Sequence, residues 1–250
     1  MIDNLPYSTK DIKSIENAYS NDDLVHLKNE EMYSKKTGLG YYVYKRKYLN
    51  LTLIFKLNSV KEFQELIIRG SAHKLFNKGI HNANNFTFKD LEDTLLRLSV
   101  NLGIDLNKCY LLPIEYGTNL YLNEFSNFDA KEIVLNALCE HRKMFQFNVA
   151  GINTSVISGS YKNELRLKVY SKSDDCPEFC QNTLRVETQQ KKSRDLYSKG
   201  IIKVTDLFIL KNQLFLFNKH IEHIENMVLY DYTIQLPKGN KYESDLPHFK

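Results

Sequence analysis

An α+β fold, with antiparallel sheet packed on one face by helices, is predicted by three features of this 250-residue sequence. Runs of alternating β-branched and aromatic residues recur through its middle, and two stretches carry apolar residues at helical spacing. The two kinds of segment follow one another as helix, strand, helix and then several strands, which favours layering over a regular βαβ alternation. A single composite domain is expected over residues 41–235, preceded by a polar, weakly helical arm at 1–40 and followed by a mobile tail at 236–250. Each half of the domain has a hairpin, a Gly-Ser pair (Gly70-Ser71 and Gly159-Ser160) and a helix, so two similar halves are suggested.

The elements follow in order. The arm ends at Gly38 and Gly40, after which YYVYKRKYLNLTLIFKLN reads as strand around a basic turn. SVKEFQELII is predicted to be a short helix, with Ser59 as N-cap and Glu62 completing a capping box. A loop rich in Gly and Asn comes next. Thr87 then caps a helix whose Phe88, Leu91, Leu95, Leu98 and Leu102 share one face, and Gly103 ends it. CYLLPIEYGTNLYL reads as strand with Pro113 near its start, a residue that suits an edge or bulge. DAKEIVLNALCEH is a second amphipathic helix; MFQFNVAG, TSVISGS, LRLKVYSK and TLRVETQQ are strands; and the segment from Lys203 to Asp231 is helical.

Composition narrows the function. Hydrophobic residues make up 42% and charged residues 26% of the chain, which fits a globular protein, and no apolar run reaches the roughly 20 residues of a membrane-spanning helix. The net charge of +4 is too small for a protein that coats nucleic acid indiscriminately. That excess is localised, however, since ten basic and six acidic residues lie between Tyr161 and Lys203. Sixteen Tyr and fourteen Phe, with no Trp, suit sheets and base stacking equally. The opening MIDNLPYSTKDIKS lacks the apolar run of a signal peptide, and the four cysteines show no paired CxxC pattern, so a reducing compartment is expected. Zinc at Cys176 and Cys180 would need two further ligands.

The chemistry concentrates between Glu164 and Glu187. Strand alternation puts Leu165, Leu167 and Val169 on one face and Arg166, Lys168 and Tyr170 on the other, with Glu187 on the next strand. A phenol among cations and within reach of a carboxylate has the parts for attack on a phosphodiester; the same pattern also describes a half-buried strand with a solvated basic face. Glu115 is a carboxylate on an otherwise apolar strand beside Gly117, which packing alone does not explain.

Three segments together resemble rolling-circle replication initiators of the trans-acting plasmid Rep class, with a looser similarity to filamentous-phage replication endonucleases. PIEYGTN resembles a strand motif of two acids separated by three residues, with Glu115 at the first place and Asn119 at the second. SGSYKNELRLKVYSK is similar to a Gly-Ser loop followed by a strand reading R-x-Y-D-K; here Lys168 takes the arginine's place and Ser171 the acid's. LRVETQQ resembles an R-x-E strand, matched by Arg185 and Glu187. The similarity spans roughly residues 50 to 210 and lies in the order and spacing of the motifs.

The resemblance implies a site-specific endonuclease and strand transferase in a bacterial host cytoplasm, starting rolling-circle replication of a small phage or plasmid. Tyr170 would attack origin DNA and keep a 5′-phosphotyrosine link. Glu115 and Glu187 would hold Mg²⁺ or Mn²⁺, while Arg166, Lys168, Lys172, Arg185, Lys191, Lys192 and Arg194 would contact DNA. Implied partners are origin DNA, a host helicase and polymerase, and a second copy of the chain. Tyr161 and Tyr197 are rival nucleophiles, and a non-catalytic origin-binding protein is the alternative function. His220 and His223 read as solvated helix residues, and His73 as a loop residue near the DNA.

Overall fold

The computed structural model describes residues 2–34, 37–122, 129–138, 146–150, 153–158, 165–225 and 228–229. Strands β1 (Tyr7–Thr9), β2 (Val25–Tyr33), β3 (Gly40–Tyr48), β4 (Leu51–Leu57), β5 (Phe63–Arg69) and β6 (Cys109–Leu111) form one antiparallel sheet in the order β2-β3-β4-β5-β1-β6. The remaining strands are β7 (Glu115–Tyr121), β8 (Ala137–Leu138), β9 (Gln146–Ala150), β10 (Asn153–Ser158), β11 (Leu165–Ser171), β12 (Thr183–Gln190) and β13 (Val228–Leu229). Five of them make a second antiparallel sheet, ordered β7-β12-β11-β10-β9, and β8 pairs with β13. The helices are α1 (Ile12–Tyr19), α2 (Ala72–Phe76), α3 (Phe88–Leu102), α4 (Ala130–Asn136), α5 (Lys172–Asp175), α6 (Arg194–Ser198) and α7 (Leu210–Glu225). The α+β class and antiparallel sheets agree with the sequence prediction.

The two sheets repeat one topology. In the first, β1 leads through α1 into four consecutive strands, and the last of these, β5, returns to pair with β1. In the second, β7 leads through α4 towards β9–β12, and β12 returns to pair with β7. A short helix and a long one follow the returning strand of each half: α2 and α3 after β5, α6 and α7 after β12. The resemblance of the halves therefore extends to the order of whole elements.

Local chemistry explains the strongest elements. Along β4 burial alternates perfectly, with Leu51, Leu53, Phe55 and Leu57 inside, as a strand packed on one face requires. At the start of α3, the Thr87 hydroxyl accepts from the Asp90 amide and the Asp90 carboxylate accepts from the Thr87 amide, a reciprocal cap worth about 1 kcal/mol. The helix ends on Gly103 in the left-handed conformation, φ 63°, which a glycine adopts without strain. Its Leu91, Leu95, Leu98 and Leu102 join the first sheet's core. Beneath the second sheet a smaller core gathers Leu167, Val169, Leu184 and Val186 against Val134 of α4.

Three expectations change. The described residues between 2 and 40 do not form a separate arm: β1 lies inside the first sheet between β5 and β6, α1 packs on the same core, and β2 pairs with β3 across residue 40. A three-residue strand is too short to announce itself by alternation, although Leu5 and Tyr7 are almost fully buried. The predicted helix at 59–68 is instead turn and strand. Asn58 Oδ1 accepts from the amides of Val60 and Glu62, so an Asn-led turn takes the donors that a Ser59 cap would have used. Finally, Pro113, which has no amide hydrogen to give, separates β6 from β7. The tail at 236–250 lies outside the described residues, as does Gly159-Ser160. Among the described residues no helix is long and apolar enough to cross a membrane.

The N-terminal segment stitches the sheets together. Its Leu112 contact, amide to Pro6 carbonyl at 3.0 Å, continues as Glu115 amide to Asn4 carbonyl and Asp3 amide to Glu115 carbonyl, both at 2.9 Å. Residues 3–6 thus run beside the end of one sheet and the start of the other.

His73 and His220 fill buried rather than solvated places. His220 on α7 is 3% exposed, its Nδ1 lies 2.9 Å from Thr188 Oγ1, and burial pushes its imidazole down to about 3. His73 on α2 is fully buried, stacks on Phe86 and lies 2.8 Å from Asn84 Oδ1; burial pushes it down to about 4. Both folded-state values lie below that of an unfolded histidine, so the neutral rings stabilise the fold fully above pH ~6.5 and that stabilisation fades as pH falls below it.

Urea unfolding should therefore lose up to about 1.4 kcal/mol per pH unit for each of these histidines between pH ~6.5 and ~4. His220→Gln should lower stability at pH 7 and flatten that slope; an unchanged slope would place the acid sensitivity elsewhere. Gly117→Ala should cost about 2–3 kcal/mol, because a Cβ there would lie 2.3 Å from the Val186 carbonyl oxygen. A urea midpoint equal to that of the wild type would refute the close approach of β7 to β12.

Candidate active site

The register of the second sheet lays out the site in three rows across β11, β12 and β7. Arg166, Gln189 and Glu115 form the first, Lys168, Glu187 and Gly117 the second, and Tyr170, Arg185 and Asn119 the third. Directly opposed residues of antiparallel strands share a face, so Tyr170, Glu115 and Glu187 all lie on one side. The other side belongs to the apolar core under α4. Alternation in LRLKVYSK and TLRVETQQ is what separates them.

Arg185 is the centre of this face and is fully buried. Its Nε donates to Glu187 Oε1 at 2.7 Å, Nη2 to Asp3 Oδ2 at 2.8 Å, and Nη1 to Asn119 Oδ1 at 3.0 Å and the Asn82 carbonyl at 3.2 Å. Asp3 is held from every side: Asn82 Nδ2 donates to Oδ2 at 2.7 Å, the Ser71 hydroxyl donates to Oδ1, and its carbonyl accepts from the Ala72 amide at 2.7 Å. Burial works against the charge on Arg185, but Asp3 and Glu187 outweigh it and keep the guanidinium protonated.

Tyr170 donates its hydroxyl to Glu187 Oε1 at 2.9 Å and is 8% exposed. Burial first, and the Glu187 charge second, raise its pKa well above that of a free tyrosine. The Lys168 ammonium lies 4.2 Å from the centre of its ring and the Lys172 ammonium 5.7 Å. Burial and then the Glu187 charge likewise raise the Glu115 carboxyl, while Lys191 and Lys168 pull it down. Glu115 thus feels both Glu187 and two of the predicted DNA-contacting lysines. Gly117 lets β7 approach Glu187 closely, since a Cβ would fall 3.0 Å from Glu187 Cγ.

Two predicted DNA contacts are corrected. Arg185 spends its donors on protein oxygens and reaches no surface, and Lys172 is buried with its ammonium paired to Asp175. A strand arginine and a lysine just past a strand look the same in sequence whether they face solvent or an internal acid. Arg166 is also mostly buried, whereas Lys168 is half-buried and Lys191, Lys192 and Arg194 are exposed beyond the end of β12. Of the rival nucleophiles, Tyr197 donates its hydroxyl to the Leu111 carbonyl at 2.7 Å, and Tyr161 lies outside the described residues. Sequence reasoning missed Asp3 and Asn82, which come from segments with no periodic signal.

Among the described residues no group of three or more His, Cys, Asp or Glu side chains is placed to hold a metal ion. The free thiols of Cys176 and Cys180 therefore have no zinc partners there.

No family model matches the chain, and no curated protein matches it. Among solved structures, the rolling-circle replication initiator protein from Geobacillus stearothermophilus is similar over 78% of this chain and 75% of its own, with 13% identity and a TM-score of 0.44.

Proposed function

We propose that this chain is a replication initiator that nicks one strand of origin DNA, with Tyr170 as nucleophile. The observation that carries the reading is the 2.9 Å hydrogen bond from the Tyr170 hydroxyl to Glu187, on a face shared with Glu115 and Lys168. The order of the PIEYGTN, LRLKVYSK and LRVETQQ motifs supports it.

In the proposed step Tyr170 Oη forms a bond to phosphorus as the bond from phosphorus to the 3′ oxygen breaks. The phenol proton passes to Glu187 Oε1, and the departing 3′ oxygen ends as a hydroxyl after taking a proton from water. A phenol whose pKa is raised by burial is not a resting phenolate, so proton transfer has to accompany attack, and Glu187 already accepts from it. Arg185 fixes Glu187 at the angle that receives the proton, and Lys168 places positive charge beside the developing phosphorane. Glu115 and Glu187, hard oxygen donors on one face of neighbouring strands, fit a divalent ion, and the charge of Glu187 already acts on Glu115. Mg²⁺ or Mn²⁺ held there, completed by water and phosphate oxygens, would neutralise charge on the phosphate.

A second reading, a DNA-binding initiator that does not cut, draws on a specific observation: Tyr170 is nearly buried, and Asn119 and Ser171 stand where the similar motifs carry acids.

Incubation with single-stranded or supercoiled origin DNA and Mg²⁺ or Mn²⁺ should give a covalent protein–DNA adduct on denaturing gels. Tyr170→Phe should abolish the adduct while DNA binding stays within about twofold, and Glu115→Gln should slow it by 10²-fold or more. An adduct that survives Tyr170→Phe would move the nucleophile elsewhere. DNA binding without any adduct in the wild type would establish the second reading.

A further inference from the structure

Beside the site, two loops from different halves meet through an aromatic stack. The His81 ring, in the loop after α2, and the Phe179 ring, in the loop after α5, lie 4.0 Å apart at 22°. A single exposed apolar ring is ordinary on a protein surface, but this one is built in. The His81 carbonyl accepts from Asn77 Nδ2 at 3.0 Å, and the next residue is Asn82, which contacts both Arg185 and Asp3. On the other side, the amides of Phe179 and Cys180 donate to the Cys176 carbonyl at 3.0 and 3.2 Å. Phe179 nevertheless remains 47% exposed.

Cations gather just before the Phe179 loop. Lys172, Lys74 and Lys168 all act on Asp175, four residues before Phe179, and hold its carboxyl below the usual range against the opposing effect of burial. Lys172 is spent on Asp175, which leaves Lys74 of α2 and Lys168 beside Tyr170 as the charges able to meet a phosphate. An aromatic face on a loop that begins among cations matches the repeating unit of an unpaired strand, one base and one phosphate.

We propose that the His81–Phe179 stack is a platform for an unpaired nucleobase, placed beside a backbone phosphate that Lys74 and Lys168 engage. The ligand is single-stranded DNA. The proposal rests on the nicking reading and deepens it, since a base held there presents the adjoining backbone towards Tyr170. Phe179 would supply the stacking face, His81 would back its ring, and neither would take part in proton transfer.

The test is fluorescence anisotropy of the full chain, without divalent metal, with a labelled oligothymidylate of about 15 nucleotides and an abasic strand of equal length. Wild type should bind the thymidylate roughly tenfold more tightly than the abasic strand. Phe179→Ala should erase that ratio while leaving abasic binding and the thermal midpoint unchanged, and Phe179→Trp should preserve it. Lys74→Ala should weaken both strands in parallel and lower the salt dependence. A ratio near one in the wild type, or a ratio that survives Phe179→Ala, overturns the platform. Binding here needs no cleavage, so the two readings fail separately. A ratio that obeys these expectations in a protein that forms no adduct leaves the platform standing on a non-cutting DNA-binding protein. An adduct-forming protein whose ratio ignores Phe179 keeps the nicking reading without the platform.

Discussion

The structure depends on one buried cation. Arg185 has no exposed surface, and such a charge is tolerated inside a protein only when acids and hydrogen-bond acceptors surround it. Here the acceptors come from both halves: Glu187 and Asn119 from the second sheet, Asp3 and Asn82 from the first half. Removing one partner of such a buried pair typically costs about 3–5 kcal/mol, because the remaining charge stays desolvated. Each half is therefore incomplete without the other at this point. The guanidinium joins them more specifically than apolar packing could, since its planar fork accepts partners only in fixed directions.

Placing the candidate chemistry on that junction has consequences for the site. Glu187 Oε1 receives both the Arg185 Nε–H and the Tyr170 hydroxyl, so the group that pins the halves together also orients the proposed proton acceptor. Asp3 and Glu187 share the guanidinium, one at Nη2 and the other at Nε. The N-terminal segment, paired to the start of β7, carries Asp3 into place. Loops at 77–86 and 176–182 meet at the rim through His81 and Phe179.

What was legible in the sequence follows from the physics of each element. β11, β12 and α3 declared themselves because one face of each is apolar, at every second residue in the strands and at helical spacing in α3. The shared face of Tyr170, Glu115 and Glu187 followed from the same alternation. β1 was not legible, as three residues cannot display a period, and β5 was obscured by Ser59 and Glu62, which imitate a helix cap while Asn58 organises the turn. Asp3 and Asn82 meet Arg185 from 182 and 103 residues away in sequence, and no local pattern encodes such a meeting. His220 misled for a related reason: a polar residue on an amphipathic helix reads as solvated until its partner, Thr188, is known.

The repeated topology gives the arrangement its logic. Each half returns its last strand to its first, and the second half bears Arg185, Glu187 and Tyr170 on the two strands β12 and β11 that close it. The first half contributes Asp3 and the Asn82 loop that enclose them. Asp3 and Arg185 are bound to act as one energetic unit across the junction, since each is the buried partner of the other's charge. A double-mutant cycle with Asp3→Asn, Arg185→Met and the pair, read by urea unfolding, tests it most directly. The coupling should be about 2 kcal/mol or more; a value under about 0.5 kcal/mol would show that the two side chains act independently.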